Sequence, residues 1–453
     1  LRKIVFTLFF LVVLSKAAYA KDYIVKLKQS EITLFSENDN ARKITKDTYV
    51  LDELTAKELQ KAERTEFICE DVPIELYGES YDDTYYSYQQ YEPLMDIPYL
   101  RENISKGKGI KVAVIDSGCY SEHPDLEGAD IRQGYNYVAE NEDTSDTNGH
   151  GTNVMGILTA ASSNGIGISG IATEATYFPL VVYYNGQGNA SHMLKAIYDA
   201  VDVYQCDIVN MSLGVEPKSE SLIQLITEAV DHASSKGVTI VAAVGNGGGT
   251  ETVYPAGSDG VIGVGAVNTD MTKASYSRYN STVDVVTTGK TFSLTNSSNY
   301  RSWQGTSEAA PVITGTLTAL MGKYGKIDCH AAIKALSADI DSIGKDINTG
   351  YGFFMPCEAE TFYKNAPVFI SPLKVGDNNA SSVKLFSSAV NEGALIFSKF
   401  KNDVFSDYDI KYIIFDNDLS YVNYDINNTE YDVNSFVIEN IDSMKSLSYS
   451  KKF

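Results

Sequence analysis

Four short segments of this 453-residue chain carry side chains that together suit acyl transfer to a serine. VAVIDSG ends an apolar run on Asp116, NGHGT holds His150, AAVGN ends on Asn246, and GTSEAAP sets Ser307 in a glycine-led turn where a helical pattern begins. A serine hydroxyl is a weak nucleophile. It needs a neutral imidazole to take its proton and a buried carboxylate to hold that imidazole in the right tautomer. Asp116, His150 and Ser307 supply that set. Attack on a carbonyl makes an oxyanion, and the amide of Asn246 with the backbone N–H of the nucleophile can supply fixed donors for it. Taken singly, each residue has a plainer reading: Asp before Ser-Gly and Asn before glycines form turns, serine caps helices, and a histidine is often only a satisfied polar group.

The order Asp, His, Ser, with 34 residues from Asp116 to His150 and 157 from His150 to Ser307, resembles that of the subtilisin-like serine proteases. HPDL at 123–126, GISGIA at 167–172, NMSLG at 210–214 and YPA at 254–256 extend the resemblance over roughly residues 83–360. It implies a serine endopeptidase working through Asp116, His150 and Ser307, with Asn246 as oxyanion donor. It also implies that Ser212, Leu213 and Gly214 pair by their backbone with an extended polypeptide substrate, with Tyr184 to Asn189 as the facing edge. The pocket for the residue before the scissile bond is then lined by Leu213 to Val215, Ala243 to Gly245, and Val253 with Tyr254. No charge occurs in those segments, so an apolar or aromatic side chain is expected there. By the same resemblance a structural calcium is held by Asp125 and Asn164 with the carbonyls of Ser162, Ile166 and Ile168. No organic cofactor is expected. Three positions depart from the family pattern. Glu308 follows the nucleophile where a small or apolar residue is usual, and is expected either to raise the basicity of His150, moving activity to higher pH, or to shape the leaving-side pocket. Asn153 replaces a common His and is expected to leave the proton relay untouched. VTTG at 286–289 lacks a proline, so that loop is expected to be looser.

The elements that position these residues show in the hydrophobic pattern. From Lys111 short apolar runs alternate with amphipathic stretches, which marks a parallel sheet with helices on both faces. KVAVID, ATYFPLVV, DIVNMSL, VTIVAAVG and VIGVGAV read as strands. HGTNVMGILTA, SHMLKAIYDAVDVY, SESLIQLITEAVDHASSKG and the segment after Ser307 read as helices. Asp116 and Asn246 thus end strands, where open α/β sheets place their ligands. His150 and Ser307 begin helices, where the dipole favours an oxyanion. The expected fold class is α/β, a subtilisin-like doubly wound and mainly parallel sheet.

Four parts are expected along the chain. In residues 1–20, Arg2 and Lys3 precede the apolar run Ile4 to Leu14 and the small-residue site Ala18-Tyr19-Ala20, the pattern of a secretory signal peptide. An apolar run of that length is too short to span a bilayer, so the chain is expected to be secreted without a stable membrane anchor. Residues 21–82 form a small α/β unit, with strands at YIVKLK, TYVLD and EFICEDVPIELY and a Thr55–Glu58 capping box before KELQKAER. Its position resembles the family's pro-domain, which implies a self-processing zymogen whose own pro-domain is chaperone and transient inhibitor. The tyrosine-rich stretch Glu79 to Tyr91 is the expected junction. Residues 83–363 form the catalytic domain, and residues 364–453, where the helical alternation stops, form a small β-rich domain.

A net charge of −22 excludes nucleic acid as a partner, since phosphates are repelled. His123, His192, His232 and His330 lack partner patterns and read as structural. Of the five cysteines, Cys69 falls in the pro-region, Cys119 and Cys206 read as buried thiols, and Cys329 with Cys357 is a conceivable late disulfide. Two other functions fit the same residues: a dedicated processing protease for one secreted peptide or enzyme, and a non-catalytic pseudoprotease that only binds.

Overall fold

The structure, a computed structural model, describes residues 22–28, 42–43, 47–62, 64–70, 82–342, 344–359 and 363, with C-terminal strand segments at 369–372, 380–386, 392–401, 404–414, 419–425, 432–438 and 451–452. The expected signal peptide lies outside these residues. The chain divides into two compact units, residues 1–78 and 79–453.

In the first unit, β1 (Asp22–Leu27) lies between β3 (Thr48–Asp52) and β4 (Thr65–Glu70), antiparallel to both, with β2 (Arg42–Lys43) outside β3. Helix α1 (Glu53–Lys61) packs on this sheet over a core of Val25, Leu27, Tyr49, Leu51, Ala56 and Leu59. Strand β3 runs straight into α1, so Thr55 lies inside the first turn and does not cap the helix as expected.

The second unit is built on a sheet of β5 (Lys111–Asp116), β6 (Asp130–Ile131), β7 (Tyr135–Asn136), β8 (Thr176–Val181), β9 (Ile208–Met211), β10 (Thr239–Ala243), β11 (Val261–Val267) and β12 (Val285–Thr288). These strands are parallel, in the order β12-β11-β10-β9-β5-β8-β6, with β7 also on β8. The chain leaves β5 for β8 on one side and later returns as β9 on the other. Their carboxyl ends therefore splay apart at β5, which is where such sheets bind ligands. A hairpin of β13 (Lys290–Thr295) and β14 (Ser297–Gln304) follows, and β15 (Ser337–Ala338) with β16 (Phe353–Phe354) closes the far edge. VTTG is no loose loop: Val285 to Thr288 form buried strand β12 between two neighbours.

Helices α2 (His150–Thr159), α3 (Ala190–Asp202), α4 (Glu220–Ser235), α5 (Thr306–Tyr324) and α6 (Cys329–Leu336) accompany the sheet. α5 is buried almost all round and packs on β9, β10, β11, β12 and α2. The three threonines in its middle survive there because each hydroxyl returns to a carbonyl one turn back: Thr314 to Ala310 at 3.0 Å, Thr316 to Val312 at 2.6 Å and Thr318 to Thr314 at 2.7 Å. Among the described residues no helix is long and apolar enough to cross a membrane.

The C-terminal strands are antiparallel and form two sheets. One orders β17 (Phe369–Pro372), β18 (Ala380–Phe386) and β21 (Leu419–Asp425). The other orders β20 (Val404–Ile414), β19 (Glu392–Lys401), β22 (Asp432–Ile438) and β23 (Lys451–Lys452).

Candidate active site

Asp116 ends β5 almost fully buried. Its Oδ1 accepts the Ser117 backbone N–H at 2.7 Å and faces His150 Nδ1, also at 2.7 Å. The carboxylate therefore accepts the Nδ1–H, which leaves the lone pair of the neutral ring on Nε2.

The glycines around His150 are needed by the backbone. Gly149 holds φ at 97°, in the left-handed region, to turn the chain into α2. A Cβ on Gly151 would stand 2.1 Å from the carbonyl oxygen of Gly118, so only glycine lets the helix start approach the β5 turn. Asp146 organises this junction, and the sequence reading missed it. Its Oδ1 accepts from Ser117 Oγ at 2.9 Å and from the N–H groups of Asn148 and Gly149 at 2.9 and 2.8 Å. Its Oδ2 accepts from Thr152 N–H and Oγ1 at 2.9 and 2.6 Å. The available signal was the Asp-x-Asn-Gly spacing, which suits an Asx turn.

Burial alone would lower the pKa of His150. The charge and hydrogen bond of Asp116, with the charges of Glu308 and Asp146, outweigh it and lift the ring to about 9. Glu308 sits in the first turn of α5, 2% exposed, and its Oε1 accepts from Asn153 Nδ2 at 2.8 Å. Burial raises its own pKa, against the opposing effects of His150 and Asn153. Asn153, one turn beyond His150 on α2, was expected to stand apart from the proton relay. It holds the carboxylate whose field reaches the imidazole.

Ser307 is the second residue of α5. Its Oγ donates to the Ser212 carbonyl at 2.9 Å, and Ser212 Oγ donates to the Ser307 carbonyl at 2.8 Å. The structure thus joins Asp116 to His150 directly, and rests the Ser307 hydroxyl on Ser212 and not on the imidazole. Trp303 of β14 stands edge-on to His150 at 6.5 Å, with the Arg301 guanidinium stacked 3.5 Å from the indole centre.

Asn246 follows β10. Its Oδ1 accepts from Thr306 N–H at 2.8 Å and Thr306 Oγ1 at 3.0 Å. Because a backbone N–H can only donate, this fixes which end of the amide is oxygen and leaves Nδ2 free to donate elsewhere.

Two cavities share the wall of Ser212, Leu213 and Gly214. One, of about 440 Å³, reaches Asp116, His150, Val182, Tyr183, Gly188, Asn189, Met193 and Val215. The other, of about 430 Å³, reaches Ala243, Gly245, Asn246, Val253 and Ser307. Of the residues expected to bind substrate, Ser212 to Val215, Ala243, Gly245 and Val253 line one or the other, as do Gly188 and Asn189 of the facing edge, whereas Tyr184 to Gln187, Val244 and Tyr254 line neither. Beyond Gly214 the wall is braced by Val215 and Tyr254, which exchange backbone hydrogen bonds at 2.8 and 2.9 Å. The second cavity corrects one premise of the sequence reading. Arg278 and Glu216 also line it, so it is not free of charge and the expected apolar preference loses its basis.

Of the residues expected to hold calcium, Asp125, Asn164 and Ile168 meet in one place. Asp125 is fully buried and accepts from Asn164 Nδ2 at 3.1 Å and Ile168 N–H at 2.8 Å. Burial pushes its carboxyl up to about 6, and no cationic side chain is among the causes that offset it. Asn164 Oδ1 meanwhile accepts from Ile166 N–H at 3.0 Å, and Ser162 lies just ahead of it in the same loop. The groups that meet the Asp125 carboxylate, Asn164 Nδ2, Ile168 N–H and the Tyr300 hydroxyl, are donors, so a hard cation would fit this buried acid only once the Asn164 amide turns its oxygen inward. Among the described residues no three acidic, histidine or cysteine side chains cluster as a metal site.

The remaining histidines have structural partners. His123 Nδ1 accepts from Asp125 N–H at 3.2 Å and Nε2 donates to Asn299 O at 3.2 Å. His192 completes a capping box with Asn189, His232 meets Asp202 at 2.9 Å, and His330 meets Gly260 O at 3.2 Å. Cys329 is a buried free thiol, so the conceivable disulfide to Cys357 is not formed. Cys119 and Cys206 are buried thiols, as expected.

The sequence profile of the subtilase family, peptidase S8, matches residues 107–349. The chain is 37% identical over 268 residues to a thermophilic serine proteinase of Bacillus sp. strain AK1, covering 58% of this chain and 65% of that protein. It is 34% identical over 267 residues to thermitase of Thermoactinomyces vulgaris, covering 58% and 93%. A solved protease of Pseudoalteromonas arctica PAMC 21717 superposes with a TM-score of 0.56 at 24% identity over 62% of this chain and 98% of that one, which shows a shared fold. The matched span contains Asp116, His150, Asn246 and Ser307 on that fold, and the chain belongs to the subtilase family of subtilisin-like serine endopeptidases.

Proposed function

We propose that this protein is a secreted endopeptidase in which Ser307 is the nucleophile, His150 the general base, Asp116 its orienting carboxylate and Asn246 an oxyanion donor. The observation that carries the reading is the 2.7 Å contact of buried Asp116 with His150 Nδ1, beside a cleft that Ser307 also lines. The Ser307 hydroxyl turns from Ser212 to His150 Nε2, gives up its proton there and attacks the substrate carbonyl. Asp116 stabilises the imidazolium and does not take the proton itself. The oxyanion is met by Asn246 Nδ2 and by the N–H of Ser307, which lies in the first turn of α5 and has no intrahelical acceptor. The imidazolium then protonates the leaving amine, and water repeats the sequence to release the acyl group.

Residues 21–78 serve as the pro-region of a self-processed zymogen on this reading, and the cut falls before Asp82. Support comes from Asp83, which accepts from Ser163 and Asn164 N–H at 3.0 and 2.9 Å and from Ser169 Oγ at 2.5 Å, so this end of the expected junction is built into the second unit. A calcium ion held by Asp125, Asn164 and the carbonyls of Ser162, Ile166 and Ile168 would cross-link the same loop and neutralise the buried acid.

A fluorophosphonate serine probe tests the central assignment. The mature protein should be labelled and the Ser307→Ala variant should not. A folded, mature protein that resists the probe would make the chain a binding protein instead.

A further inference from the structure

The cavity that receives the residue before the scissile bond, on the reading above, has a charged wall. Arg278 is buried at 9% exposure and runs along the two glycines that flank Asn246. A Cβ on Gly245 would stand 3.2 Å from its Cδ and Nε, and one on Gly247 only 2.8 Å from Nη2. The absence of side chains at these two positions is what gives the guanidinium its place beside the cavity.

A guanidinium has five N–H donors. Nη1 of Arg278 donates to the Glu251 carbonyl at 3.0 Å, Nη2 donates to the Glu216 carboxylate, and Nε is buried without an acceptor. Its capacity is therefore only partly used. The other charges around it are Glu216, 62% exposed at its side chain, and Glu251, 69% exposed, whose carboxylate stays 3.8 Å from Nη1.

Two kinds of substrate side chain compete for such a pair. An anion takes the place of Glu216 on Arg278, whereas a cation takes the place of Arg278 on Glu216. The difference in burial decides between them. Exchanging one carboxylate for another sends an exposed Glu216 back to water, which costs little, and keeps the guanidinium paired. A cation that drew Glu216 away would leave buried Arg278 with only the exposed Glu251 carboxylate, 3.8 Å away, and facing a like charge.

We propose that Arg278 is a specificity-determining residue and that the enzyme cleaves after glutamate or aspartate, whose carboxylate pairs with the Arg278 guanidinium. Planar, forked donors favour a carboxylate over an amide or an apolar group. The inference rests on the Asp116, His150 and Ser307 assignment above, since that assignment defines where the scissile bond lies.

The test uses the matured enzyme with matched fluorogenic peptides that differ only in the residue before the bond: Glu, Gln, Leu or Lys. The Glu peptide should exceed both Leu and Lys in kcat/KM by about tenfold or more. Arg278→Ala should abolish that advantage, bringing the Glu-to-Leu ratio of kcat/KM to about one or below. Glu216→Gln, an exposed change that spares folding, should raise the Glu-to-Leu ratio and decides the matter alone if Arg278→Ala does not fold. A wild-type enzyme that prefers Leu or Lys, or a Glu-to-Leu ratio unmoved in these variants, overturns the proposal. Probe labelling of the same preparations separates the two levels. Labelled enzyme indifferent to charge rejects only the specificity, and unlabelled inactive protein rejects the assignment on which it rests.

Discussion

At the scale of single residues, the chemistry is set by how many carboxylates surround one imidazole. His150 responds to Asp116, Glu308 and Asp146, and these together outweigh its burial. A general base must be neutral to accept a proton, so kcat/KM should rise with pH along a limb approaching the His150 value of about 9. The sign for Glu308 follows from its charge. As an anion it favours imidazolium, so Glu308→Gln, which keeps an oxygen for Asn153, should move that limb to lower pH by about one unit. Profiles of kcat/KM against pH for the two proteins check this, and an unmoved limb would mean that Glu308 is neutral while His150 titrates. Asp116, His150, Asn246 and Ser307 were legible because each sits in a backbone turn that dictates its neighbours. Gly149 by its φ and Gly151 by its approach to Gly118 are examples. Arg278 was not legible. SRYNS looks like any polar loop, and its route to the cavity depends on glycines more than thirty residues earlier in the chain.

At the scale of elements, the loop from Ser162 to Ile168 links the start of the second unit to α2, which carries His150. It is held from one side by Asp83 and from the other by Asp125. Asp125 is buried with its carboxyl raised, so its ionised form lacks a compensating charge. Calcium should therefore raise the Tm, and at a hundred times its Kd would add about 2.7 kcal/mol by mass action. Asp125→Asn should remove the calcium response. Thermal unfolding with calcium and with chelator, in both proteins, measures it, and a wild-type Tm indifferent to both would exclude the site. The alternation of apolar runs made the parallel sheet and its helices readable, because strands buried on both faces and amphipathic helices have different periods. The β13–β14 hairpin went unread for the opposite reason. SSNYRSWQ is mostly exposed and polar with no period to detect, yet it brings Trp303 to His150 and Tyr300 to His123.

At the scale of the whole molecule, the question is where one chain becomes two functional parts. The compact units divide at 78/79, close to the boundary that the change of pattern near residue 82 suggested. Several ties anchor the start of the second unit. Asp83 clasps the 163–169 loop, and Gln89 exchanges hydrogen bonds with Ser169 at 2.8 Å in both directions. Glu92 pairs with Arg101 through two contacts, at 2.9 and 2.5 Å, with both side chains fully buried. Removing one member of such a pair leaves a buried charge without its partner, at a cost of about 3–5 kcal/mol. A cut just after Asp83 would sever its clasp on the 163–169 loop, whereas a cut before Asp82 would spare every one of these ties. Intact-mass and N-terminal analysis of secreted protein should therefore find a mature chain that begins at or before Asp82, while Ser307→Ala retains the pro-region. A mature N-terminus beyond Asp83 would show that the clasp belongs to the precursor alone. Retention of the pro-region by both proteins would instead separate maturation from Ser307 and assign the cut to another enzyme.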